Sequence, residues 1–457
     1  MSIQAIIANE LVRDESSVWM LKRRTDFAYS EGAAAEKYLE MALRNSRDLS
    51  TSSSELDRYI KDWPSEYHLS SKRAQLLSGF VFDRSLRVLE VGCGCGAITR
   101  YLGETFDDVV SVEGSIVRAR LARARTRDLP GVTIVCAPFQ EIDFARKFDI
   151  VFCIGVYEYS SSFVDATDPH DAVLRYFSDV LAPDGLVVIA IENQFGLKYF
   201  GACREDHLGV KFEGLEGYHS DLGKVRTFGR NELDRDLRRY FSAVEFYYPY
   251  PDYKLPDCVL TEKFLVSGHA GELVAQTKSR DYSGATDTSL DEGLVALELA
   301  RNHMLPYFAN SFLVLAGKRD LNHAAFRQLG ILFSAKRLER FRTTTRILGE
   351  PGGRIVASKR AVMRSAAPSG RLALVDVDSP WVGSHSLHTI VYLRSRSRNA
   401  KLSDIFAPCS AWIRFLQERA TTREYVHYIP GELVDCTWSN VYSTTDGQAI
   451  VDQEWVW

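Results

Sequence analysis

The sequence predicts an α/β protein: a doubly wound parallel sheet preceded by a helical segment and followed by a second α+β unit. Three observations predict it. Short apolar runs rich in β-branched residues recur at 86–91, 109–112, 132–136, 148–154 and 185–191, with helix-compatible segments between them. Such alternation gives right-handed crossovers and a parallel sheet. The first run leads into Gly92, Gly94 and Gly96, ahead of a helical stretch from Ala97; alternate glycines let backbone approach a ligand, and the helix start offers free N–H groups. Finally, a chain of 457 residues exceeds one ordinary core, so more than one domain is expected.

Taken in order, residues 1–80 read mainly as helix. Glu31 to Arg44 carries alanine and leucine at helical spacing, and the serines of 50–54 followed by Glu55 form a loop and N-cap. Trp63-Pro64 interrupts, and Lys72 to Leu77 is again helical. The sheet domain spans 81–267. Within it, 192–223 mixes glycine, aromatic and charged residues without regular period and reads as a long functional loop. A helix at Asn231–Tyr240 and strands near 243–248 and 259–266 close the sheet with a hairpin-like antiparallel edge. Residues 268–290 are polar and read as a linker. The second unit, 291–457, begins with a helix from Asp291 to Met304 that stops before Pro306. It continues with a strand at 310–317 and paired strands at 331–347 and 353–363, turned by Gly349, Pro351, Gly352 and Gly353. A helix at 409–419 and strands at 441–443 and 449–452 complete it. No internal repeat is visible.

The bulk properties exclude several classes. A net charge of −4 gives no general electrostatic reason to bind nucleic acid. The 8 cysteines are scattered, and Cys93-x-Cys95 has no second pair to complete a zinc site; they read as reduced core residues of a cytoplasmic protein. Residues 1–30 carry interleaved charges rather than a signal sequence. No apolar run reaches membrane-spanning length, so any membrane association is expected to be peripheral, at the inner face.

Two acids frame the glycine turn. Glu90 lies at the carboxyl end of the first strand, where open α/β sheets bind ligands. Glu113 ends the next strand, where a carboxylate suits the two hydroxyls of a ribose. The ligand is therefore a nucleoside-containing cofactor. Gly92-x-Gly94-x-x-Ala97 also satisfies the dinucleotide fingerprint, so NAD competes. Against NAD, Glu90 would repel a pyrophosphate but welcomes the ammonium of S-adenosylmethionine. A helical lead of about 80 residues before the first strand is also long for a dinucleotide domain. The later strands carry matching features, Ala137-Pro138-Phe139-Gln140 and Ile154-Gly155-Val156-Tyr157-Glu158-Tyr159.

The runs VLEVGCGCGAITRYLGE, VVSVEGS, FDIVFCIGVYEYS and LAPDGLVVIAIENQFGLKYF together resemble a class I S-adenosylmethionine-dependent methyltransferase over about 60–266. The resemblance implies a Rossmann-like sheet with Glu90, Gly92, Gly94 and Gly96 around the methionine part of the cofactor and Glu113 on its ribose. It also implies Phe139 or Gln140 at the border of the adenine and Ile154 and Gly155 at the floor beneath it. Tyr67 and His68 would cover the methionine end.

The substrate is sought in 192–256, where Glu192-Asn193-Gln194-Phe195-Gly196-Leu197-Lys198-Tyr199, Glu205-Asp206-His207, Gly217-Tyr218-His219 and Pro251-Asp252-Tyr253-Lys254-Leu255-Pro256 concentrate polar and aromatic groups. That density suits a sugar, whose C–H faces stack on aromatic rings while carboxylates grip its hydroxyls. It also resembles methyltransferase modules of bacterial cell-surface polysaccharide and O-antigen biosynthesis, which methylate a sugar hydroxyl or a terminal phosphate. Partners would then be a sugar or glycan and other polysaccharide-assembly proteins. His207 is the expected base, its ordinary pKa suiting proton removal near neutrality, with Asp206 and Glu205 as alternates. Tyr157, Glu158, Glu192, Asn193 and His219 are expected at the substrate.

Asp435 and Asn440, followed by Asp452, Gln453 and Glu454, resemble the catalytic loop and metal-holding acid of kinase-like phosphotransferases. Ile355 to Lys359 resembles the strand bearing their phosphate-binding lysine. No G-x-G-x-x-G precedes Lys359, Gln453-Glu454 stands for Phe-Gly, and the chain ends at Trp457, so the unit is expected to be incomplete. The readings left open are a sugar O-methyltransferase, a bifunctional kinase–methyltransferase and a non-catalytic assembly module.

Overall fold

The computed structural model describes residues 3–22, 32–219, 224–282, 284, 288–334, 337–363, 373–444 and 447–456. Glu31 of the first expected helix, 220–223 of the long loop, 283 and 285–287 of the expected linker, and 335–336 within the paired strands lie outside them. The chain forms two compact units. One comprises 1–262, 278–292 and 305–327; the other comprises 263–277, 293–304 and 328–457.

The strands of the first unit are β1 (Leu11–Arg13), β2 (Trp19–Leu21), β3 (Arg87–Val91), β4 (Asp108–Glu113), β5 (Val132–Cys136), β6 (Phe148–Ile154), β7 (Leu181–Glu192), β8 (Ala243–Tyr250), β9 (Cys258–Thr261) and β10 (Ser311–Gly317). Across its sheet they run β1-β2-β5-β4-β3-β6-β7-β10-β8-β9. Strands β2 through β7 are parallel to one another, β1 is antiparallel to β2, and β10 runs antiparallel to both β7 and β8. The central strands are buried along nearly their whole length, as continuous apolar runs covered on both faces must be.

Three expectations change here. Residues 11–21 form a hairpin whose second strand extends the sheet edge, Trp19 opposite Val135, so the N-terminal segment is not purely helical. The strand expected at 310–317 forms, but inside this sheet: Phe312 pairs with Ile191 and Leu313 with Tyr247. It therefore parts β7 from β8, while β8 and β9 pair as the expected antiparallel edge. All seven of its residues are buried, which an apolar run achieves in either unit; nothing local says which neighbours it takes. The polar 268–290 stretch is likewise not a free linker. The Tyr282 hydroxyl donates to Asp252 (2.5 Å) and its ring lies 4.1 Å from Trp63, centroid to centroid.

The N-terminal helices roof the glycine turn. Leu39, Ala42 and Leu43 of α1 (Ala33–Asn45) cluster with Leu56, Leu69, Cys95 and Leu121. That packing fixes α2 (Trp63–Leu69), which starts with Asp62 and Ser65 in a reciprocal capping box. Gly96 precedes α3 (Ala97–Thr105) with φ of +84°. A Cβ there would stand 2.7 Å from the backbone of Ala122 in α4 (Ile116–Arg125). Glycine is what allows these two helices to approach.

The second unit contains an antiparallel ribbon of β11 (Gly330–Phe333), β12 (Thr343–Gly349), β13 (Ile355–Ala361) and β14 (Val377–Pro380). The helix expected at 291–304 forms over Glu292–Arg301, and that at 409–419 over Cys409–Arg419. β15 (Val441–Thr444) and β16 (Gly447–Ile450) pair as expected. A small core of Leu387, Val391, Cys409, Leu433, Cys436 and Val441 joins these elements. Its buried Glu272 accepts from Ser386 Oγ (2.6 Å), Thr389 Oγ1 (2.7 Å) and Gln276 Nε2 (2.8 Å). Among the described residues, no helix is long and apolar enough to cross a membrane.

Candidate active site

The carboxyl ends of β3, β4 and β6 open on a cavity of about 400 Å³. Its first wall is the glycine turn, where Gly92, Gly94 and their neighbours line the space. Gly94 has φ of +54°, and its N–H donates to Glu113 Oε2 (2.8 Å), while Ser115 N–H donates to Oε1 (3.0 Å). Glu113 thus ties the turn to the end of β4 and keeps further acceptor capacity toward the cavity. Glu90 accepts from Ser111 Oγ at 2.7 Å, and burial pushes its carboxyl up to about 7. Phe139, Gln140, Ile154 and Gly155 line the same space, with Tyr67 and His68 facing it from α2. Gly96 is not among the lining residues; its role is the helix contact described above.

The far end of the cavity carries charge. Glu158 stands on the single turn Tyr157–Tyr159 after β6. It is fully buried, and among the described residues neither carboxyl oxygen has a hydrogen-bond partner. Burial first, and Glu192 second, push its pKa up to about 8. His207 places Nδ1 at 2.9 Å from the Tyr159 hydroxyl and Nε2 at 3.3 Å from Glu192 Oε2. Burial alone would lower the imidazole's pKa; Glu192 outweighs it and holds it at about 9. At neutral pH His207 is therefore an imidazolium, and its expected role as a ready base is corrected. Lys254 joins the other oxygen of Glu192 to Asp206 (2.5 Å for the latter), and Lys198 grips both Asp206 oxygens at 2.8 and 2.9 Å. Against the cost of burial, Lys254 and His207 hold Glu192 well below the carboxylate range, and the two lysines do the same for Asp206.

Asp206, locked between two ammonium groups, is a poor base. Glu205 does not line the cavity; its Oε2 caps a turn by accepting the N–H groups of His207 (2.8 Å) and Leu208 (2.7 Å). Tyr157 is core, stacked on Phe228 at 5.5 Å. Asn193 spends its amide on the carbonyls of Tyr307 and Ala309, both at 2.8 Å, bracing the loop that leads to β10. His219 is exposed and away from the cavity lining. Glu192 is fully buried behind the cavity wall rather than on it. Sequence reading missed Arg73 and Arg118 as site groups, and named Tyr159, Lys198, Tyr253 and Lys254 only within longer segments. The one available signal was Tyr253-Lys254, a cation beside an aromatic within a proline-bounded loop.

Residues 89–189 match the methyltransferase domain family. The enzyme is an S-adenosylmethionine-dependent methyltransferase. It is 27% identical over 171 residues to an uncharacterized methyltransferase of Oceanobacillus iheyensis, covering 37% of this chain and 68% of that one. It is 31% identical over 124 residues to a ubiquinone biosynthesis O-methyltransferase of Bradyrhizobium diazoefficiens, covering 26% of this chain but only 46% of that relative. Among solved structures, the N-methyltransferase NodS from Bradyrhizobium japonicum with S-adenosylhomocysteine aligns over 35% of this chain and 74% of its own, at 20% identity and a TM-score of 0.24. S-adenosylmethionine is the methyltransferase's cofactor. The chain's own residues fit it: a turn whose Gly92 and Gly94 hold left-handed backbone, φ +75° and +54°, and acids at both strand ends.

Proposed function

We propose that the methyltransferase transfers a methyl group to a hydroxyl of a surface-polysaccharide sugar or its precursor, at the inner face of the membrane. The observation that carries this reading is Glu158. A carboxylate fully buried in the wall of the cofactor cavity, with neither oxygen partnered, is costly unless a ligand completes it. A hydroxyl donor there would place its oxygen for in-line attack and give its proton to Glu158 in its ionised form, so transfer should rise with pH toward the raised pKa of about 8. Gly92, Gly94 and Glu113 would hold the cofactor, whose sulfonium supplies the methyl. Tyr67, Tyr159 and Tyr253 offer the ring faces that a sugar requires.

The test is a methyl-transfer assay against nucleotide sugars and lipid-linked glycans. Glu158→Gln should lower kcat by about 10²- to 10⁴-fold while leaving cofactor affinity unchanged. An unaltered kcat in that variant would remove Glu158 from the reaction. Transfer to terminal phosphates alone would replace the hydroxyl acceptor.

A second reading has its own observation. In the second unit Lys359 pairs with Asp452 and lies 3.2 Å from Glu454, and ligand atoms of Asp435, Asp452 and Glu454 lie within 4.8 Å of one another. Asn440 Nδ2 also donates to the Asp435 carbonyl at 2.9 Å. A lysine beside clustered acids supports a kinase-like nucleotide site. Calorimetry with Mg-ATP decides it: binding in the wild type and its loss in Asp452→Ala are expected, and no wild-type binding leaves the unit an assembly module.

A further inference from the structure

The charged end of the cavity gathers three buried carboxyl groups, Glu158, Glu192 and Asp206. Lys198 and Lys254 offset Asp206 and Glu192. Glu158 then adds a third buried carboxylate with no hydrogen-bond partner. Donor atoms of Glu158, Glu192 and His207 lie within 4.8 Å of one another. Lys254 takes one oxygen of Glu192, which leaves Oε2 facing His207 Nε2 at 3.3 Å. Two donors on one ion, each about 2.1 Å from it, stand about 3.0–3.5 Å apart. The other imidazole nitrogen is oriented by the Tyr159 hydroxyl at 2.9 Å, the kind of outer contact that fixes a metal-binding histidine.

We propose that Glu158, Glu192 and His207 form a divalent-cation site that binds the acceptor oxygen. Binding displaces to solvent the protons that His207 and Glu158 carry at neutral pH, and the resulting two carboxylates and neutral imidazole suit a first-row divalent ion such as Mn²⁺, with positions toward the cavity left for substrate and water. One oxygen of Glu158 serves the ion and the other remains to take the acceptor's proton. In the transfer the acceptor oxygen–carbon bond forms, the sulfur–carbon bond breaks, and the proton passes to that free oxygen. The inference rests on the reading of this end as the acceptor site. Its test needs no methyl donor.

The full chain, stripped with EDTA, is titrated with Mn²⁺ and followed by electron paramagnetic resonance. Saturable binding is expected, and the component that survives Asp452→Asn, which alters the acid cluster of the second unit, should weaken about tenfold or more in Glu158→Gln and in Tyr159→Phe. Glu158→Gln removes no hydrogen bond and should melt with the wild type; Tyr159→Phe keeps all three ligands and tests the orientation of His207 separately. Absence of wild-type binding to Mn²⁺, Mg²⁺ or Zn²⁺, or loss confined to Asp452→Asn, overturns the site. Methyl transfer that persists without any metal overturns this inference and leaves the hydroxyl-acceptor reading standing; metal binding without transfer to any glycan does the reverse.

Discussion

Glu113 shows how one side chain braces a turn that lines a cavity. It accepts the N–H groups of Gly94 and Ser115 and so holds the glycine turn to the end of β4. Glu113→Ala should weaken S-adenosylmethionine binding by about 10- to 100-fold, as loss of charge-assisted hydrogen bonds would, which calorimetry measures directly. The glycine-turn and strand-end residues that line the cavity were readable because their positions follow from local pattern. The base was not. His207 looked suitable by its ordinary pKa, yet Glu192, 15 residues earlier, turns it into an imidazolium. A residue's charge depends on neighbours brought by folding, and no spacing rule supplies them. Asn193 and Tyr157 illustrate the same limit: polar or aromatic beside a motif, they brace backbone and core.

At the scale of elements, close approach between α3 and α4 depends on Gly96. Gly96→Ala combines left-handed backbone with a contact to the Ala122 backbone and should cost about 3 kcal/mol in urea unfolding, with cofactor affinity falling as the turn shifts. In the second unit, Glu272 ties its own segment to the start of the helix Leu387–Ser395. Burial alone would raise its pKa, but hydrogen bonds from His385, Ser386, Thr389 and Gln276 hold it at about 2. A depressed carboxyl stabilises the fold above its ordinary value of 4.5, and that contribution fades as pH falls toward 2. The span corresponds to about 3 kcal/mol. Acid titration followed by tryptophan fluorescence should show the second unit loosening in this window, and Glu272→Gln should remove most of that pH dependence while lowering stability at neutral pH.

For the whole molecule, the decisive element is β10. It lies 118 residues beyond the end of β7 yet occupies the place between β7 and β8. A chain ending at residue 267 keeps every cofactor-lining residue but leaves β7 and β8 each without the partner strand between them. Unpaired buried edges aggregate, so this truncation should be insoluble or bind no cofactor; a monodisperse, cofactor-binding product would show that β10 is dispensable.

The sequence by itself determined the parallel core, the glycine turn with Glu90 and Glu113, and hence a methyl-donor site, because those features are encoded within strands and the turns that directly follow them. Tertiary structure decided the rest: which distant strand completes the sheet, which carboxylate stays without a partner, and which imidazole carries a proton. The physical reason is common to all three. Burial and pairing energies depend on what packs alongside, and those neighbours come from chain segments tens to more than a hundred residues away.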